Sequence, residues 1–135
     1  MTQEDKELLL KDLCARLPYG IKVSKVVEDW ISDPRPIRSI NLNNIIVEDG
    51  EFEDGTPDID VWDYEEFKPY LFPMSSMTED QKKEENSFDP FKTDEVKTLG
   101  DWAVCLVDFY NKYHFDYHGL IEKGLALDAT GLNIY

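Results

Sequence analysis

Ten carboxylates fall between Ser39 and Phe67 without one Lys or Arg among them. Such a set can do three kinds of chemistry. Exposed together, the acids attract a cationic protein surface. Paired in an enclosed pocket, they serve as general acid and base. Converging with further oxygens, they hold a hard cation. Glu48, Asp49, Glu51, Glu53, Asp54, Asp58, Asp60 and Asp63 are the candidate partner-binding carboxylates, joined by Trp62 and Tyr64, because Trp and Tyr anchor the centres of interfaces. Trp30 and Tyr70 are further candidates for exposed aromatic anchors. The acidity is local: residues 1–38 hold seven acids against seven bases and residues 68–135 hold twelve against seven, within a formal charge of −15.

The alternatives to binding are weaker in the sequence. Asp58, Asp60 and Asp63 could surround a cation, yet neither they nor Asp49 to Gly55 follow the calcium-loop pattern with its central Gly and terminal bidentate Glu. His114, Asp116 and His118 form an H-x-D-x-H string that would share a helix face, but Phe115, Tyr117 and Gly119 mark a chain that has left its helix, and no Glu follows the first His. Ser75 and Ser76 lack the Gly frame of a nucleophile elbow. Cys14 and Cys105 fall on predicted apolar stripes, where a thiol behaves as a small hydrophobe. No catalytic residue, metal or cofactor is therefore assigned. A Gly-rich phosphate cradle and a basic patch are both absent, so direct nucleic-acid binding is disfavoured. No apolar run reaches the length of a membrane span and no signal-peptide pattern opens the chain, so a cytoplasmic, membrane-free protein is expected.

These residues need a scaffold. With 135 residues, 41% hydrophobic and 13% aromatic, the chain can bury one core and hardly two. A single domain over 1–135 is expected: helix 1–17, sheet region 20–67 with acidic turns, helical region 78–113 and a wrapping tail 114–135. Thr2 caps the first helix, whose apolar face reads Leu10, Leu13, Cys14 and Leu17, and Pro18 ends it. Ile21 to Val27 alternates as a strand, and Asp33-Pro34-Arg35-Pro36 is expected to interrupt pairing because proline cannot donate to a ladder. Ile40, Leu42 and Ile45-Ile46-Val47 flank an Asn43-Asn44 turn. Asp49-Gly50 and Asp54-Gly55 are turn signals before a last strand at Ile59-Asp60-Val61. Tyr64 to Pro73 reads as an irregular strap. Thr78 and Gln81 have capping-box spacing for a short polar helix, and Thr93 opens a longer one to Tyr113. The expected class is α+β, with a small, curved, mainly antiparallel sheet, of which an SH3-like barrel is one form. Leu13, Leu17, Ile40, Leu42, Leu99, Trp102, Leu106 and Phe109 are expected in the core.

The blocks Leu13 to Gly20, Lys68 to Thr78, Phe115 to Ile121 and Gly124 to Thr130 resemble a family of small uncharacterised proteins of gut Bacteroidales bacteria and their phages or integrated elements. That resemblance implies membership and carries no activity with it. Where this chain has His118 the family pattern has Arg, which counts against an essential role for the imidazole. The function that asks for least is a non-enzymatic acidic protein-interaction module, phage or mobile-element encoded, that meets a basic protein. A nucleic-acid-mimicking inhibitor of a host nuclease or defence protein and a carboxylate-dependent enzyme are the alternatives. Acid-rich turns that only solubilise the protein and blunt sheet edges need no partner at all. The oligomeric state is left open by the sequence.

Overall fold

A computed structural model describes residues 1–91 and 98–135. Helix α1 (Gln3–Arg16) opens with a capping box in which the Thr2 hydroxyl accepts the Asp5 amide and the Asp5 carboxylate accepts the Thr2 amide. A 3₁₀ turn over Leu17–Tyr19 follows and closes on Gly20 in the left-handed region, at φ 72°. The chain then builds β1 (Lys22–Val27), β2 (Trp30–Ile31), β3 (Arg35–Ile40), β4 (Asn44–Glu51), β5 (Pro57–Asp63) and β6 (Phe67–Leu71). Helices α2 (Glu79–Ser87) and α3 (Leu99–Lys112) come next, and the short β7 (Leu127–Asp128) lies in the tail.

The architecture is α+β, as the change of periodicity along the sequence predicts. Strand order is β5-β4-β3-β1-β6-β7, with β2 paired to β1. Among the described residues the pairings between these strands are antiparallel except β6 with β7. Closure of the sheet into a barrel is not among the described pairings, and the order runs open from β5 to β7. The core collects Leu9 and Leu13 of α1, Val23, Ile37, Ile45, Val47, Trp62, Phe67 and Leu71 from the sheet, and Leu120 from the segment after α3.

Two proline-bearing segments differ from expectation, for one reason. Ile37 N–H donates to Ile21 and so fixes 21/37 as a hydrogen-bonded pair, which leaves Pro36, opposite Lys22, at a position that asks for no donor toward β1. By the same parity Val26 N–H, donating to Glu66, makes Pro69 opposite Val23 a non-donating position. Thus Arg35-Pro36 begins a strand instead of interrupting one. The stretch expected as an irregular strap contains β6, a buried strand beside β1. Asp49-Gly50 is a bulge, not a turn: the β4–β5 register shifts between Glu48 and Glu51, with Gly50 at φ 105°. The turn itself is at Asp54-Gly55.

The tail is stitched to the end of β6. Phe72 N–H donates to His114, Asp116 N–H to Phe72 and Ala129 N–H to Leu71. The Tyr135 hydroxyl accepts the Lys22 amide at 2.9 Å and donates to the Tyr70 carbonyl at 2.9 Å, standing in for the next rung of the β1–β6 ladder. Helix α2 has the capping box expected at Thr78 and Gln81. The expected helix start at Thr93, and Val96 on its face, lie outside the described residues; Thr98 caps α3 by accepting the Asp101 amide. Of the expected core, Leu13 and Phe109 are buried, while Leu17 and Ile40 are partly buried against it. Leu42, 75% exposed, sits in the β3–β4 turn, and Leu99, 61% exposed, lies on the outer side of α3; Trp102 and Leu106 are half-buried. Cys14 faces solvent.

Candidate functional site

The acidic segment folds into the β4–β5 hairpin at one end of the sheet, because Ile45, Val47 and Trp62 supply one apolar face and Asp54-Gly55 the turn. Seven of its eight candidate carboxylates are exposed, and Asp58 is half-buried. Three have work within the fold. Asp49 Oδ1 pairs with Arg35 Nε at 2.9 Å. Asp54 Oδ1 accepts the Thr56 hydroxyl at 2.6 Å and the Thr56 amide at 3.0 Å, and the hydroxyl first, then the amide, hold its carboxyl below the ordinary carboxylate range. Asp60 accepts the Val61 amide and the Trp62 indole N–H, each at 2.9 Å. Among the described residues, Glu48, Glu51, Glu53, Asp58 and Asp63 have no cation within ion-pair distance.

Asp60 does a second thing. Strand β5 ends the sheet, so alternate amides on its free side have no strand to meet. Val61 N–H is taken by Asp60, and Asp63 N–H by Glu66 Oε2 at 3.1 Å. Two rungs that could template another strand are thereby occupied by carboxylates of the same chain. Beside them Phe52, Ile59 and Val61 remain exposed, so the hairpin presents apolar side chains framed by acids.

The aromatic candidates divide. Trp30 is 58% exposed. Trp62, Tyr64 and Tyr70 are buried, and the expectation that they stand out as anchors is corrected. Trp62 lies on the core face opposite Ile45. The Tyr64 hydroxyl donates to the Asn41 carbonyl at 2.8 Å, and its ring packs on Phe67. Tyr70 shares a hydrogen bond with Ser24 Oγ. Each ring has an apolar body in the core and a polar tip with a partner, which is why it is not left to bind elsewhere.

A second polar cluster was missed in the sequence. Asp12 and Arg16 are fully buried on the inner side of α1, with Nε–Oδ2 at 2.8 Å and Nη2–Oδ1 at 3.0 Å. Arg16 also donates to the Phe115 carbonyl at 2.6 Å, and its guanidinium lies over the Tyr117 ring. Asp12 Oδ1 accepts from His118 Nδ1 at 2.7 Å, since a carboxylate has no proton to give, and this bond orients the ring. An oriented imidazole of this kind becomes a catalytic base only with a nucleophile in reach. Among the described residues, none is hydrogen-bonded to it, and Ser76 Oγ is committed to the Pro73 carbonyl. The signal available was the acid and base four residues apart on the side of Leu9 and Leu13.

The H-x-D-x-H string does not converge. The His114 ring stacks on Tyr135 at 3.8 Å, Asp116 accepts the Leu120 and Ile121 amides, and His118 turns to Asp12. Burial, then the charge of Arg16, pushes the His114 imidazole down to about 4. Comparison with protein-family models, with curated proteins and with solved structures finds no match. Among the described residues no helix is long and apolar enough to cross a membrane.

Proposed function

We propose that the chain is a non-enzymatic protein-interaction module whose β4–β5 hairpin docks a basic surface of a partner protein. One observation carries this: among the described residues, Glu48, Glu51, Glu53, Asp58 and Asp63 stand without cations beside exposed Phe52, Ile59 and Val61. Apolar contacts framed by unneutralised charge suit a partner with the opposite sign, since the charge steers encounter and the apolar centre holds the complex. An enzyme would instead need acids enclosed together with raised pKa values. Here seven of the eight candidate acids are exposed and Asp58 is half-buried, and Asp54 is shifted the other way. The resemblance of the four blocks Leu13 to Gly20, Lys68 to Thr78, Phe115 to Ile121 and Gly124 to Thr130 supports a bacterial cytoplasm and a phage or integrated element as the setting.

The test is capture on immobilised protein at low and high salt, comparing wild type with the variant Glu48→Gln, Glu51→Gln, Glu53→Gln, Asp58→Asn. A partner retained by wild type, released by salt and lost by the variant is expected. Retention of the same partner with equal affinity by the neutralised variant rejects the proposal. Competition by duplex DNA for the captured partner would select the narrower form, a mimic of nucleic acid.

A further inference from the structure

We infer that the groove beside Trp30 receives an arginine side chain of the partner. This deepens the interaction proposal and rests on it. The groove, about 390 Å³, lies between the β1–β2 hairpin, the start of β3 and the β4–β5 hairpin. Trp30 forms one wall and is paired across the β1–β2 hairpin with Val27, itself exposed. The charges within the groove decide the occupant. Arg35 is taken by Asp49 at 2.9 Å, and Lys25 lies 4.0 Å from Glu66. Asp33 and Asp60 are left without a cation among the described residues.

Asp60 is also fixed in place, because its two oxygens accept the Val61 amide and the Trp62 indole, neutral donors that orient the carboxylate without cancelling its charge. Ser32 holds the Asp33 backbone, its hydroxyl accepting the Lys25 amide at 2.8 Å and donating to the Asp33 carbonyl at 3.1 Å. A guanidinium suits this site better than an ammonium. It stacks flat on an indole, forks its donors to two carboxylates and gives up its water more readily. An anion meets two unneutralised carboxylates here and a chain of formal charge −15.

The probe is the blocked peptide tetra-arginine, with tetra-lysine beside it, titrated at low salt against wild type, Trp30→Leu, Asp33→Asn and the four-fold hairpin variant. Tryptophan fluorescence and the Trp30 indole N–H resonance report binding, and circular dichroism reports folding. Wild type should bind tetra-arginine more tightly than tetra-lysine, with the Trp30 indole resonance shifted. Trp30→Leu and Asp33→Asn should each weaken tetra-arginine about ten-fold. An unshifted indole, or unchanged binding by both single variants, overturns the groove. If the hairpin variant alone binds weakly, the groove is wrong and the acidic docking surface stands. If the single variants alone bind weakly, the groove stands and hairpin docking fails.

Discussion

Asp12 and Arg16 lie one turn apart on α1, with both side chains fully buried and Nε 2.8 Å from Oδ2. Around them the Phe115 carbonyl, His118 and the Tyr117 ring close the remaining sites, so the pair ties α1 to the segment that follows α3. Removing one partner leaves the other charge buried without its counter-ion. Asp12→Ala should therefore cost about 3–5 kcal/mol in a urea titration. The double variant Asp12→Leu, Arg16→Met should lose less than the sum of its single variants, because it strands no charge. Strict additivity would show that the two side chains do not act as a pair.

That ion pair explains how far the sequence could be read. Counting apolar residues sets the inner face of α1 on Leu10, Leu13, Cys14 and Leu17. Burial instead follows Leu9, Asp12, Leu13 and Arg16, with Cys14 outside. Hydropathy scores a mutually satisfied Asp and Arg as polar and rotates the face away from them. The caps at Thr2 and Thr78 were legible because each depends on side chains three residues apart. Strand β6 was not, since whether Pro69 is tolerated turns on pairing parity with β1, a long-range fact. The acidic hairpin was legible as charge. That Trp62 and Tyr64 point inward was not, because their direction follows from register against Ile45 and from the Asn41 carbonyl.

His114 makes stability depend on pH in a definite direction. Its imidazole titrates at about 4 in the folded chain against an ordinary 6.5, because burial first and the Arg16 charge second disfavour the cation. Its contribution is therefore complete above about 6.5, and it is lost as pH falls from there through about 4. The slope should approach about 1.4 kcal/mol per pH unit within that window. His114→Phe, which keeps a ring against Tyr135, should flatten the slope relative to wild type in urea titrations from pH 7 to 4. Parallel curves for the two proteins would show that His114 is not the group responsible.

The unequal burial along α3 should separate side chains that the sequence treats alike. Phe109 is buried and in ring contact with Phe88, Tyr110, Tyr113 and Phe115, whereas Leu106 is half-buried and Leu99 largely exposed. Phe109→Ala should cost about 3–5 kcal/mol. Leu106→Ala should fall below about 2 kcal/mol, since it buries only part of its surface, and Leu99→Ala within about 0.5 kcal/mol. Chemical denaturation of the three variants checks the order. A loss at Leu106 equal to that at Phe109 would mean that this face of α3 is covered more fully than the structure shows.

The hairpin acids should divide into those that hold the fold and those that do not. Asp60 satisfies the Trp62 indole and closes the Val61 amide on the free edge of β5, with Ile59 and Val61 exposed beside it. Asp60→Ala should cost about 1–3 kcal/mol, because it leaves the part-buried indole N–H without its acceptor. It should also open a rung of the edge to strand pairing between molecules. Glu51→Gln with Glu53→Gln removes two exposed charges from a like-charged hairpin, so unfolding free energy should stay within about 0.5 kcal/mol of wild type or rise. Urea titration measures the first effect, and light scattering across a concentration series measures the second. If Asp60→Ala is as stable and as monodisperse as the Glu51/Glu53 variant, the carboxylate does not guard the edge. Asp60 would then belong with the acids that only carry charge.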